Sequence, residues 1–246
     1  MRLLCITAHP DDECFAFGGA LALAAQQGIE TSVICLTDGQ AASNRGTATT
    51  PAELGHLRRA EFAASCNLLG VHHHEVLDYQ DGQLEFADFS KTACRLVKRI
   101  RQLRPHIILT FGGDGAINTH PDHTVICALA TAAFHWAGRP TRFPHHLDKG
   151  LQLWTPQLLY YVTFNFQVPD RHPISPAPWT VALDIRSVAA LKMQAFAAHT
   201  TQAPLVERTR PMFEQHGHTE HYTLAASPNP RPAALSTTLF SGVTED

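Results

Sequence analysis

The chain has 246 residues, 44% of them hydrophobic, and a formal net charge of -3, enough to bury a substantial core within a single domain spanning 1–246. Nineteen Lys and Arg against 22 Asp and Glu, with no basic stripe, exclude a general nucleic-acid footprint, and Arg95 to Arg104 reads as the polar face of a helix. No run approaches the ~18 apolar residues of a membrane span, and the apolar start is too short for a signal peptide, so the expected setting is cytoplasmic. Six cysteines, at 5, 14, 35, 66, 94 and 127, never form a Cys-x-x-Cys pair and read as reduced, mostly buried thiols.

In chain order, strands are predicted over Arg2 to Thr7, Thr31 to Thr37, Glu75 to Leu77 and His106 to Phe111. Helices are predicted over Gly18 to Gln27, Pro51 to Leu69 and Asp88 to Leu103, with Pro51 as a first-turn proline and Gly28 and Gly70 as terminators. Strands and helices alternating at this spacing pair in parallel through right-handed crossovers. The expected fold is therefore α/β, a Rossmann-like three-layer sandwich with a mainly parallel sheet. A further helix is expected over Asp122 to Trp136, capped by Asp122 or Thr119. Prolines then break the chain, leaving two strands, Leu158 to Thr163 and Thr180 to Ile185, and a helix, Ser187 to Ala198. Residues 139–157 and 165–178 read as long loops, with 139–180 forming walls of a substrate site, and 226–246 as an extended tail. Of the 16 histidines, His72 to His74 read as loop, and His145, His146, His216, His218 and His221 as solvent-facing.

Three histidines, His9, His120 and His123, and a group of carboxylates stand out from that background because each cluster follows a strand. His9-Pro10-Asp11-Asp12-Glu13 follows the first, and His120-Pro121-Asp122-His123 follows the fourth. In parallel α/β sheets, ligands sit off the carboxyl ends of the strands. A catalytic zinc takes three protein ligands and keeps a position open. His9 and Asp12 can bend onto one ion from a tight turn, and a third ligand from the second cluster closes the site. One of Asp11 and Asp12 then binds metal while the other takes a proton from water; His120 and His123 divide between ligand and substrate-facing group. Read separately, either cluster is also what a capped helix start would look like.

The chain resembles the PIG-L or LmbE-like family of zinc-dependent N-acetylglucosaminide deacetylases. The resemblance rests on Ala8-His9-Pro10-Asp11-Asp12-Glu13, Gly18-Gly19, Thr37-Asp38-Gly39, Arg58-Arg59-x-Glu61, Leu69-Gly70-Val71, Asp81-Gly82, Arg104-Pro105, His120-Pro121-Asp122-His123 and His199-Thr200-Thr201-Gln202. It implies that His9, Asp12 and His123 bind one Zn2+, or a similar divalent ion. It implies that Asp11 is the general base and that His120, oriented by Asp122, stabilises the oxyanion and helps protonate the leaving amine. The implied reaction is removal of an N-acetyl group from an N-acetylated sugar conjugate, giving acetate and a free amine.

Asn44, Arg45 and Asp81 are candidate substrate contacts, each balanced by a loop or turn reading. Glu13 reads as a helix cap or a support for His9, and Cys14 as a packed thiol. His199 with Gln202 ends a helix near the site. Competing readings are an amidase acting on a thiol conjugate by the same mechanism, a two-metal phosphoesterase, and a non-catalytic metal- or nucleotide-binding Rossmann-like domain. The glycine fingerprint of the last is incomplete: in Phe111-Gly112-Gly113-Asp114-Gly115, the nearest approach, Asn118 stands where the third glycine is needed. The sequence is compatible with a homo-oligomer and sets no subunit number.

Overall fold

The computed structural model describes residues 1–167, 174–229 and 234–245. Seven strands form one sheet in the order β3-β2-β1-β4-β5-β7-β6, with β1 Arg2–Thr7, β2 Glu30–Thr37, β3 His73–Tyr79, β4 Ile107–Phe111, β5 Leu158–Thr163, β6 Val181–Asp184 and β7 Thr219–Ala226. The first five pair in parallel, and β7 runs antiparallel to both β5 and β6. The three-layer, mainly parallel architecture is the one expected. β1, β2 and β4 are buried almost throughout, as a sheet covered on both faces requires. Helices α4 (Phe89–Leu103) and α5 (Pro121–Ala137) pack on each other on one face, while α2 (Gly18–Gln26) and α3 (Pro51–Leu68) both pack against α6 (Ala189–Ala197) on the other. The four-residue helix α1 (Asp12–Phe15) follows β1 directly, and α7 (Ala203–His216) precedes β7.

Local chemistry explains the boundaries that were legible. Thr50 and Glu53 form a reciprocal capping box at the start of α3, with Pro51 in the first turn. Asp88 caps α4 by accepting from the Lys91 N–H at 3.0 Å. At α5 the cap is neither expected residue: the His120 ring accepts from the Asp122 N–H.

Three expectations change. β3 begins at His73, so His73 and His74 lie in a strand rather than a loop. Two elements, α7 and β7, were not expected at all; His216 ends the helix and His221 lies within the strand, only half-exposed. The described part of the tail returns to the fold: Ser236 bridges Val181 and Leu239 is buried. Residues 168–173 of the expected loop and 230–233 and 246 of the expected tail lie outside the described residues. All six cysteines are free, and all but Cys94 are buried.

β7 also brings a buried ion pair into the molecule. Glu220 accepts from Lys192 Nζ at 2.7 Å, the Gly19 N–H at 2.7 Å, the Ala20 N–H at 2.9 Å and the Tyr222 hydroxyl at 2.6 Å. Its carboxylate thus sits at the amino end of α2, where unpaired N–H groups and the helix dipole favour a negative charge. The approach is close enough to require glycine: a Cβ at Gly19 would lie 2.7 Å from Glu220 Oε1 and 2.5 Å from Ile185 Cγ2. Removing one partner of a buried pair strands the other charge, at about 3–5 kcal/mol. Glu220→Ala is therefore expected to lose about that much in denaturant unfolding, and the double variant Glu220→Ala with Lys192→Met to lose less than Glu220→Ala alone.

Candidate metal and substrate site

β1 and β4 are neighbours, with β2 on the far side of β1 and β5 on the far side of β4. Connections leave these central strands in opposite directions, so a crevice opens beyond their carboxyl ends. Both His-Pro-Asp clusters open into it. The turn after β1 is fixed by Asp12, whose Oδ2 accepts from the Ala8 N–H at 3.1 Å and the His9 N–H at 2.8 Å. Asp12 Oδ1 then lies 3.3 Å from His123 Nε2, and Asp12 Oδ2 lies 3.6 Å from His9 Nδ1. One donor atom from each of His9, Asp12 and His123 falls within a sphere of mutual distances under 4.8 Å.

Each of the three is oriented by something behind it. His123 stacks on Phe111, ring centroids 3.8 Å apart, and its Nδ1 meets the Gly115 carbonyl at 3.1 Å. That contact assigns the ring proton to Nδ1 and leaves a lone pair on Nε2, a buried atom without a hydrogen-bond partner. His9 Nε2 faces Asp81 Oδ1 at 3.0 Å and Asp122 Oδ2 at 3.1 Å, which leaves Nδ1 turned toward Asp12. Burial alone would lower the His9 pKa; hydrogen bonds to Asp122 and Asp81, with the Asp12 charge, override it and raise the value to about 10. Burial likewise opposes ionisation of Asp12, but His123 and His9 hold its carboxyl well below the usual range. A buried carboxylate, an oriented imidazole with an open lone pair and a second imidazole backed by carboxylates are a donor set that could hold a divalent ion.

The remaining candidates divide. Asp11 lines the same cleft and adopts φ 106°, a left-handed conformation that costs a non-glycine residue about 1–3 kcal/mol. Two contacts hold it there. Its N–H donates to Glu13 Oε2 at 2.9 Å, and its Oδ2 accepts from Arg58 Nη2 at 2.8 Å. Glu13 is anchored in turn by Ser65 Oγ at 2.6 Å and His199 Nε2 at 2.8 Å, with Glu13 and His199 fully buried. Glu13 and His199 thus position Asp11. Burial pushes the Asp11 carboxyl up to about 6, against the pull of Arg58 and with the push of Asp12.

The Asp122 carboxylate does not reach His120, which corrects one expectation. It accepts from the Gly82 N–H at 2.8 Å and the Leu84 N–H at 3.1 Å as well as meeting His9. Asp122 orients His120 through the main chain instead, its N–H donating to His120 Nδ1 at 3.2 Å. The neutral His120 ring therefore carries its proton on Nε2. Burial and the neighbouring His9 and His123 hold its pKa below the ordinary value.

Asp81 is likewise taken up by His9 and, through Oδ2, by the Ala41 N–H at 3.0 Å. Asn44 lines the cleft but is taken up by Gln202: its Nδ2 donates to Gln202 Oε1 at 3.3 Å, and its main-chain carbonyl accepts from Gln202 Nε2 at 3.2 Å. Arg45 is exposed and is not among the residues lining the cleft. Cys14 is buried, and its Sγ donates to the Asp11 carbonyl at 3.0 Å.

The cleft encloses about 700 Å3. Of the 139–180 region, among the described residues, only Phe164 lines it; the far wall comes from α7, through Leu205, Arg208, Thr209 and Met212. Arg58, at 3% exposure the central cation of the site, was present in the sequence as part of a motif but not assigned a role. It donates to the carbonyls of Gly39 and Pro10 as well as to Asp11. Gly39 explains its neighbour: at φ 65°, a Cβ there would sit 2.0 Å from the Arg58 guanidinium.

Comparison with known proteins places this geometry. Residues 4–134 match the family described as PIG-L: GlcNAc-PI de-N-acetylase. The chain is 28% identical over 241 aligned residues to the 1D-myo-inositol 2-acetamido-2-deoxy-alpha-D-glucopyranoside deacetylase of Rhodococcus erythropolis, covering 82% of this chain and 81% of that protein. It is 29% identical over 203 aligned residues to the diacetylchitobiose deacetylase of Thermococcus kodakarensis, covering 82% and 70%. The N,N'-diacetylchitobiose deacetylase from Pyrococcus horikoshii shares the fold, with a TM-score of 0.75 at 24% identity over 91% of this chain and 83% of that one.

The outer carboxylates supply a test of the site as built. Replacing a group that orients a metal-ligating histidine typically costs about 10- to 100-fold in affinity. Asp81→Ala and Asp122→Ala are each expected to weaken binding of a divalent ion by that factor in a competition titration. His9→Ala, Asp12→Ala and His123→Ala should abolish it at this site, and His120→Ala should leave it intact.

Proposed function

We propose, starting from the fact that this chain belongs to the PIG-L family and is an N-deacetylating hydrolase, that it removes the N-acetyl group from an N-acetylglucosamine-type sugar conjugate with the help of one zinc ion. The products are acetate and a free amine. The observation that carries the reading is the position of Asp11, held in a strained conformation beside three convergent donors at the inner end of a sugar-sized cleft. The unpartnered His123 Nε2 fits an ion, because a buried polar atom left without a partner is otherwise costly. An ion held by His9, Asp12 and His123 would polarise the amide carbonyl and acidify the attacking water.

The rest of the chemistry belongs to the side chains. Asp11, with Oδ2 held by Arg58, accepts the proton of the attacking water. The same carboxylate, facing the cleft, is placed to return that proton to the departing nitrogen. His120 presents Nε2–H to the oxygen on which negative charge develops. It acts as a neutral donor, so delivery of a proton to the amine falls to Asp11 alone. The mixed wall, with Phe164, Leu205 and Met212 beside Arg208 and Thr209, suits a sugar joined to a further group.

Acetate release from a panel of N-acetylated sugar conjugates, measured with zinc-loaded protein, tests the activity. Asp11→Asn is expected to keep bound metal and lose about 10²- to 10⁴-fold in kcat. His120→Ala should keep metal and lose about 10²- to 10³-fold. Near-normal kcat in Asp11→Asn would assign the base to another residue.

A further inference from the structure

On the α4 face of the sheet, away from the cleft, a second group of soft and nitrogen donors converges. Cys94 lies in α4, and a 3-10 turn at Pro144–His146 presents two consecutive imidazoles toward it. Cys94 Sγ lies 3.7 Å from His145 Nε2 and 3.4 Å from His146 Nε2, and the three atoms all lie within 4.8 Å of one another. A tetrahedral ion with bonds of about 2.3 Å to sulfur and about 2.0–2.1 Å to nitrogen sets those ligand atoms about 3.5 Å apart. We propose that Cys94, His145 and His146 form a second metal site, for a thiophilic divalent ion of the zinc type, separate from the cleft.

The loop that carries the imidazoles is built before any ion arrives. Arg101, only 2% exposed, donates to the carbonyls of Ala137 at 3.0 Å, Phe143 at 3.2 Å, Arg139 at 3.1 Å and Arg142 at 2.9 Å. These bonds hold the chain immediately before the 3-10 turn. His146 is buried, against the expectation of a solvent-facing ring. Burial, with His145 and the cations Arg101, Lys98 and Lys149, lowers its pKa to about 4. The ring is therefore neutral at physiological pH, as a ligand must be.

Arg101 Nη1 lies 3.2 Å from His146 Nδ1, which leaves the proton of the ion-free ring on Nε2, facing Cys94. Ion binding releases the thiol proton to solvent and moves the ring proton from Nε2 to Nδ1. The ring passes to its other tautomer, and Arg101 Nη1 keeps the Phe143 carbonyl as acceptor. His145 is exposed, so the fourth position opens to water. Coordination would fasten the loop to α4 across 51 and 52 residues of chain.

Cobalt(II) tests this directly, because a thiolate ligand gives a near-ultraviolet charge-transfer band and the set His9, Asp12 and His123 contains no sulfur. Titration of the full chain is expected to produce that band, with about one more equivalent of metal bound than in Cys94→Ser or His145→Ala. Replacing the exposed His145 leaves the buried packing untouched, so its variant reads the site without unfolding the chain. No band in the parent protein would reduce the group to a hydrogen-bonded thiol and two imidazoles and overturn the proposal. A band at full strength in either variant would overturn it too, and in Cys94→Ser would point to Cys14.

Discussion

The site depends on one side chain closing a turn. Asp12 accepts two main-chain N–H groups at the end of β1 and keeps its other oxygen directed at His123. Those two bonds convert a strand end into a bend tight enough to set His9 and Asp12 side by side. The constraint is costly in isolation. It buries a carboxylate and drives Asp11 into a left-handed conformation. It persists because Glu13 and Arg58 take up the Asp11 N–H and carboxylate, and because His199 and Ser65 secure Glu13. Backbone strain is sustained when the surroundings over-determine it.

Charge placement follows the same logic. Asp11, Asp12, Glu13, Asp81 and Asp122 crowd one end of the sheet, a density that would repel itself if left unbalanced. Arg58 faces Asp11, His199 faces Glu13, and His9 lies between Asp81 and Asp122. In the ion-free chain a proton on His9 completes the balance, which is why its pKa stands near 10. A divalent cation at the three donors would take over that part. A cation there would meet both the crowding of carboxylates and the open lone pair of His123.

The helices that shape the cleft are tied to the core by carboxylates rather than by apolar contact alone. Glu61 of α3 accepts from the Thr200 hydroxyl at 2.6 Å, the Thr201 N–H at 2.8 Å and the Thr201 hydroxyl at 2.7 Å. That fixes the turn from which α7 departs and places Gln202 against Asn44. Glu220 does the same for β7 and α2. Several sequence motifs remote from the donors, including Gly18-Gly19, Arg58-Arg59-x-Glu61 and His199-Thr200-Thr201-Gln202, are these attachments.

The first half of the fold was legible because its signals are local. Continuous apolar runs mark strands covered on both faces, and Thr50-Pro51 with Glu53 marks a helix start wherever it occurs. Where β7 runs, the signal is inverted. Its inward residues include Glu220, and a charged inward residue hides the alternation that identifies a strand. α7 buries only Val206 and contains Pro211, so it reads as broken loop although its ends are held by neighbours. The sequence by itself determined that two histidine–aspartate clusters sit at strand ends and which residue types they offer. Tertiary structure alone decided the division of labour within them. That the Asp122 carboxylate serves His9 rather than His120, and that Asp81 backs His9 while accepting from the Ala41 N–H, depend on contacts between segments some 40 to 113 residues apart. Such contacts have no local periodicity to announce them, because the chain pays for them only when the sheet has already brought the segments together.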